Sequence, residues 1–161
     1  MTLVAEARGG AAATAAFELA NLAQSAGNHQ EALSYYRKTV ELMPSHALAL
    51  NNLAYLLADF AKQPDEALKY AEQAMEAAPD NVVIEDTLGW IYYQKGIYHR
   101  AIRHLENAVQ KEGQPIFKYH LGLAYAKAGN RPQAVKVLSA ALRTAPHLPE
   151  AALAQQVIEA K

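Results

Sequence analysis

The sequence predicts an all-α chain: a solenoid of four helix–turn–helix units closed by a capping helix. Three observations carry that expectation. Apolar residues recur at i, i+3, i+4 and i+7, the spacing of one helical face, and no segment sustains the alternation of a strand. Seven prolines (Pro44, Pro64, Pro79, Pro115, Pro132, Pro146 and Pro149) punctuate the chain. Proline inside a helix costs about 3 kcal/mol, so helices should begin or end near each one. Finally, Leu19-Ala20, Leu53-Ala54, Leu88-Gly89 and Leu121-Gly122 recur at intervals of 34, 35 and 33 residues.

The elements follow in order. Helices are expected over 13–26, 29–42, 46–61, 64–77, 81–95, 98–112, 115–128, 131–144 and 149–160. Gly27, Gly96 and Gly129 each follow an apolar-periodic segment, where a left-handed helix C-cap sits. Asn28 and Asn130 continue two of those turns. The second unit has one extra residue in its turn, Lys62-Gln63-Pro64-Asp65, and lacks the turn glycine. Pro64 there reads as the first position of the following helix. The third unit ends in Glu112-Gly113-Gln114 in place of a proline. In the last segment, Glu150, Gln155, Gln156 and Glu159 alternate with Leu153, Val157 and Ile158, giving the one polar face that a solenoid cap requires.

A second set of equivalent residues is Ala32, Ala67, Ala101 and Ala134; a third is Pro44, Pro79, Gly113 and Pro146. A period near 34 with a helix–turn–helix in each unit resembles the tetratricopeptide repeat (TPR) family. The third unit carries Leu88, Gly89, Tyr92, Gly96, Ala101, Leu105 and Ala108 in the family's register; the fourth carries Tyr125, Gly129, Ala134, Leu138, Ala141 and Pro146. The units are 13–46, 47–81, 82–114 and 115–148, followed by a capping helix at 149–161, with 1–12 expected as a flexible lead-in. The first unit is the least typical, with Ala16 and Ala23 at positions usually held by larger side chains. The resemblance implies a right-handed superhelix, and the stretches Asn51–Tyr55 and Asp86–Tyr93 look like bacterial multi-repeat proteins.

Composition limits the function classes. Fifteen basic residues stand against 16 acidic ones, so the basic surplus that phosphate binding needs is missing and nucleic acid is not the expected partner. There is no cysteine, hence no disulfide framework and no thiolate metal site. No apolar run approaches the ~20 residues of a bilayer span, so no membrane insertion is expected from this segment. Residues 1–10 hold Arg8 and two glycines without a long apolar stretch, and do not read as a signal peptide. This composition suits cytoplasm and bacterial periplasm equally.

No catalytic, metal or cofactor site is expected. The six histidines form no zincin-type i, i+4 pair and read as solvated or turn residues. Glu85 and Asp86 are neighbours on one helix and so diverge, which is poor geometry for paired acid–base work. The glycines are isolated and form no phosphate loop, and the serines lie in no nucleophile elbow.

The resemblance implies instead that the first helix of each unit lines a concave groove that holds a partner peptide or helix. The groove residues so implied are Phe17 and Asn21; Asn51, Asn52 and Tyr55; Asp86, Trp90, Tyr93 and Gln94; and Tyr119, His120 and Leu123. Aromatic rings give large contact area at low entropic cost, and amides can hold a peptide main chain. Trp90, the sole tryptophan, is the expected anchor. Tyr35, Tyr36, Tyr70 and Tyr98 are expected to pack or to lie on the convex side. Family members that clamp a chaperone's terminal carboxylate use cations where this chain has Phe17, Val83 and Thr87, so carboxylate-clamp binding is not expected. The function expected is therefore a non-enzymatic protein-binding scaffold. The alternatives are a self-associating module (a homo-oligomer) and the recruiting arm of a larger enzyme or envelope assembly or export protein.

Overall fold

The computed structural model describes residues 3–160, with side chains from residue 9 onward. Among these residues there are helices and turns but no strand. The helices are α1 (Leu3–Ser25), α2 (His29–Leu42), α3 (Ala47–Asp59), α4 (Pro64–Ala77), α5 (Val82–Gln94), α6 (Tyr98–Lys111), α7 (Pro115–Lys127), α8 (Arg131–Thr144) and α9 (Ala151–Glu159). The chain divides into two compact units, residues 1–79 and 80–161. In the first, α1 packs on α2, α2 on α3, and α3 on α4. In the second, α5 packs on α6, α6 on α7 and α7 on α8, while α9 lies across α8 and α7. The all-helical, paired-hairpin architecture is the one the repeat predicts.

One helix differs from expectation. α1 begins at Leu3, so the backbone expected as a flexible lead-in is helical from there on. Residues 1 and 2 of that lead-in, and Lys161 of the cap, lie outside the described residues. No proline interrupts the Ala-rich run from Ala11 to Ala16, and alanine is the best helix former, so nothing in the chain stops the helix earlier.

The helix ends follow from local chemistry. The Asn81 side chain accepts hydrogen bonds from the Val83 and Ile84 backbone N–H groups, 3.0 and 3.3 Å away, and so satisfies donors that the first turn of α5 leaves open. His46 Nδ1 accepts from Ala49 N at 3.2 Å at the start of α3. Pro64, Pro115 and Pro132 sit in the first turns of α4, α7 and α8, where a missing N–H costs nothing. At three turns the left-handed residue is glycine: Gly27 (φ 78°), Gly96 (φ 75°) and Gly129 (φ 82°). In the second hairpin Lys62 takes that conformation, at φ 56°. Its extra turn residue leaves the helices unchanged: α3, α5 and α7 each have 13 residues, and α2, α4, α6 and α8 each have 14.

Small residues mark the closest approaches. Ala32, Ala67, Ala101 and Ala134 have no exposed surface. A Cβ placed on Gly89 would come within 2.7 Å of Leu105 Cγ, and one on Gly122 within 2.5 Å of Leu138 Cγ. Each glycine therefore lets a leucine of its own hairpin partner lie directly on the helix backbone. The equivalent positions in the first unit, Ala20 and Ala54, are fully buried alanines.

Candidate functional site

The expected groove residues of the first unit are tied together by one hydroxyl. Tyr36, on α2, is fully buried, yet its OH reaches three amides. It lies 2.8 Å from Asn21 Oδ1 and 2.6 Å from Gln24 Oε1, both on α1, and accepts from Asn52 Nδ2 on α3 at 3.1 Å. A phenol has one proton, so it donates to one of the two α1 amides at a time. Asn51 Nδ2 donates onward to Asn52 Oδ1 at 3.2 Å. Asn51 itself is buried, and its Oδ1 has no hydrogen-bonding partner. Burial raises the Tyr36 phenol above its ordinary pKa, with the Asn52 hydrogen bond working the other way. Phe17 flanks the network, its ring 6.0 Å from Tyr36 and 4.6 Å from His46. Tyr55 is half-buried and its OH donates to Asp59 at 3.3 Å. Tyr36 packs in the core, as expected, and its hydroxyl adds a polar role that was not expected. A para-hydroxyl on α2 can pass between the helices to the amides of α1 and α3, and that reach is visible only in three dimensions.

In the second unit, Glu85 and Asp86 diverge as their adjacency requires, and each meets a histidine. His104 Nδ1, on α6, lies 2.7 Å from Glu85. His120 Nδ1, on α7, lies 3.0 and 2.8 Å from the two oxygens of Asp86. Each imidazole also stacks on an aromatic ring of α5. His104 lies 5.5 Å from Tyr92 at 11°, and His120 lies 4.3 Å from Trp90 at 20°. The same carboxylate–imidazole–aromatic arrangement is therefore built twice, once from α5 to α6 and once from α5 to α7. Arg100 completes the first copy, donating to the Tyr92 OH at 3.2 Å with its guanidinium over the ring. His120 is buried and His104 largely so, and these two depart from the expectation of solvated or turn histidines, whereas His99 and His147 are exposed. The carboxylates that hold them are 19 and 34 residues away in sequence, beyond any local pattern.

Trp90 is half-buried, and the Tyr93 ring lies 4.6 Å from it at 12°. Two rings this close to one indole in near-parallel planes leave no room for each other on one face. Tyr93 and His120 therefore cover opposite faces of Trp90, and the indole presents its edge. Burial, with a contribution from Tyr98, raises the Tyr93 phenol pKa. Gln94 is half-buried at the end of the same helix. Tyr119 and Leu123 belong to the core with Leu138, Ala141, Ala151 and Ala154. The Tyr119 OH donates to the Ala145 carbonyl at 2.8 Å, and the side chain has no exposed surface. Of the twelve expected residues, Tyr119, Leu123, Asn51, Asp86 and His120 are thus buried, whereas Phe17, Asn21, Asn52, Tyr55, Trp90, Tyr93 and Gln94 keep accessible surface. Among the described residues, no cluster of three or more His, Asp or Glu is arranged to hold a metal ion. Among the described residues, no helix is long and apolar enough to cross a membrane.

Comparison with known proteins agrees with this architecture. Two family profiles, each described as tetratricopeptide repeat, match residues 11–80 and 87–155. A TPR repeat-containing protein of Pseudomonas aeruginosa is 38% identical over 79 residues, 49% of this chain and 13% of the relative. One from Methanocaldococcus jannaschii is 29% identical over 118 residues, 73% of this chain and 20% of the relative. The chain thus spans a fifth or less of these two curated relatives. Among solved structures, Pseudomonas aeruginosa PilF has a TM-score of 0.76 at 24% identity, covering 93% of this chain and 68% of its own. YrrB, described as a TPR protein with an unusual peptide-binding site, has a TM-score of 0.58 at 22% identity, covering 88% of this chain and 90% of its own. At these identities the structural matches speak to fold alone. The register of small residues, the paired hairpins and both family profiles lead to one conclusion: this chain belongs to the tetratricopeptide repeat family.

Proposed function

We propose that this chain is a non-enzymatic scaffold that binds a segment of a partner protein along the faces of its A-type helices, the first helix of each hairpin. The TPR fold supports protein binding in general. The particular reading rests on the network around the Tyr36 hydroxyl. Amides half-exposed on α1 and α3 are held in fixed orientation by a buried phenol, beside the rings of Phe17 and Tyr55. Pre-oriented amides lose little freedom when they bond a peptide main chain, and the adjacent rings offer apolar contact. In the second unit, the edge of Trp90, together with Tyr93 and Gln94, provides a contact surface of similar character. YrrB's peptide-binding site lends the reading support by analogy of fold only. Because the chain spans so little of its curated relatives, such a scaffold would serve as the recruiting arm of a longer protein.

Selection of peptides from a display library, followed by titration of a selected peptide, tests this. An Asn21→Ala, Asn52→Ala, Tyr55→Ala variant should bind at least about tenfold more weakly, as loss of hot-spot residues does, with helicity unchanged. A folded triple variant of full affinity would place binding elsewhere. A peptide ending in Glu-Glu-Val-Asp should not bind at low micromolar affinity, because Phe17, Val83 and Thr87 stand where a carboxylate clamp needs cations.

A further inference from the structure

The Tyr36 hydroxyl also decides which pole of each α1 amide faces outward. An amide side chain carries its acceptor and its donors on opposite sides of the terminal carbon. Both Asn21 and Gln24 turn the carbonyl side inward, with Asn21 Oδ1 2.8 Å and Gln24 Oε1 2.6 Å from the hydroxyl. Their NH2 groups then turn away from it. Among the described residues no group accepts from Asn21 Nδ2 or Gln24 Nε2, and neither nitrogen is buried, so both meet solvent.

Asn52 behaves differently. Its Nδ2 donates inward to the Tyr36 oxygen, and its Oδ1 accepts from Asn51 Nδ2, so both of its poles are engaged. Asn52 buttresses the phenol, and α1 supplies the outward donors. Their access to solvent does not depend on what precedes α1. Tyr55 stands in the register of Asn21 and keeps accessible surface too, although α2 packs on its helix.

Asn21 and Gln24 are three residues apart on one helix, which sets their Cβ atoms about 5–6 Å from each other. Along one edge of an extended chain, carbonyls recur every second residue, about 6.5 Å apart. Two outward donors at this spacing suit two such carbonyls. A helical segment offers only the carbonyls of its last turn, the others being taken by its own N–H groups. Charge selects the kind of oxygen. From Gly9 to Ser25 the one charged residue is Glu18, which is exposed and three residues from Asn21; the one charged residue of α3 is Asp59. A carboxylate would meet like charge there, and a neutral main-chain carbonyl does not.

Building on the protein-binding function proposed above, we propose that Tyr36 is a positioning residue: its buried hydroxyl turns the NH2 groups of Asn21 and Gln24 outward, where they donate to two main-chain carbonyls of an extended partner segment.

Titration of the whole chain with a display-selected peptide of no net charge tests this. Asn21→Asp with Gln24→Glu keeps the inward oxygens and removes the outward N–H groups, so affinity should fall at least about tenfold. Tyr36→Phe keeps the ring and frees both amides, so affinity should fall about fivefold, the cost of ordering them on binding. In the wild-type chain the Asn21 and Gln24 side-chain NH2 resonances should shift when the peptide is added, which a purely structural role for these amides would not produce. Far-UV circular dichroism checks that the variants keep their helices; if Tyr36→Phe does not, the Asp–Glu variant and the NH2 resonances decide. Unmoved NH2 resonances, wild-type affinity in either folded variant, or a peptide bound as a helix overturns the proposal. If the peptide is then still lost in the Asn21→Ala, Asn52→Ala, Tyr55→Ala variant, binding along the A-type helices stands without it; a peptide indifferent to that variant as well overturns both.

Discussion

His120 lies flat against Trp90, 4.3 Å away at 20°, while its Nδ1 is held 2.8 Å from an oxygen of Asp86. A carboxylate can only accept, so the ring nitrogen donates and the imidazole is fixed at both its edge and its face. His120→Ala should remove the stack and leave the buried Asp86 carboxylate without its partner. Together these should cost about 3 kcal/mol in urea unfolding. Asp86→Asn keeps an acceptor and should cost less. Since Trp90 is the only tryptophan, tryptophan emission reports on its surroundings, and it should change in His120→Ala before any unfolding.

Gly122 should not tolerate alanine. Alanine is favoured over glycine in a helix by about 1 kcal/mol, but the added methyl would meet Leu138 Cγ at 2.5 Å. Overpacking of this kind costs about 1–3 kcal/mol, so Gly122→Ala should be destabilising on balance. The reverse change at Ala54, to glycine, should also destabilise, because it removes a buried methyl group and puts glycine inside a helix. Thermal unfolding of the two variants compares them directly.

Lys62 holds a left-handed backbone that costs an ordinary side chain about 1–2 kcal/mol. Lys62→Gly should relieve that strain, offset in part by the greater freedom of glycine in the unfolded chain. A net gain of about 0.5–1 kcal/mol in chemical denaturation is the expected result.

Alkaline pH should weaken the fold through its tyrosines. Burial, and a hydrogen bond to the Glu106 carboxylate, push the Tyr125 phenol up to about 12, and burial raises Tyr36, Tyr93 and Tyr119 as well. Unfolded tyrosine ionises near 10, so the folded state holds these protons more tightly. The stability they contribute is complete below about pH 10 and is lost as pH rises through the folded values. Tyr125→Phe should flatten the decline above pH 10, measured as the urea midpoint against pH.

The hairpins were legible because their causes are local. A proline or glycine ends a helix where it stands, and a leucine followed by a small residue marks a close approach wherever it recurs. The polar sites were legible only in part. Asn21, Asn52 and Tyr55 keep accessible surface, as their register implies. Tyr119 shares that register but is buried, because α9 folds over α7 and the phenol finds the Ala145 carbonyl. Glu85 and Asp86 were readable as a diverging pair, but not as two separate partners for His104 and His120. Those pairings depend on which helices meet, which no run of adjacent residues encodes. Burial was hidden for the same reason: Leu19 matches Leu53 letter for letter, yet Leu19 is exposed and Leu53 has no exposed surface.

The second hairpin's longer turn has a practical consequence. It absorbs a whole residue while the helices on either side keep the lengths found in the other hairpins. Length changes there do not propagate into helix register. The loop around Lys62 and Gln63, both exposed, is therefore a natural splice point. An epitope or a fluorescent reporter inserted there would leave every helix face in place, so the chain could be followed in its native setting without altering the helix faces proposed to bind a partner.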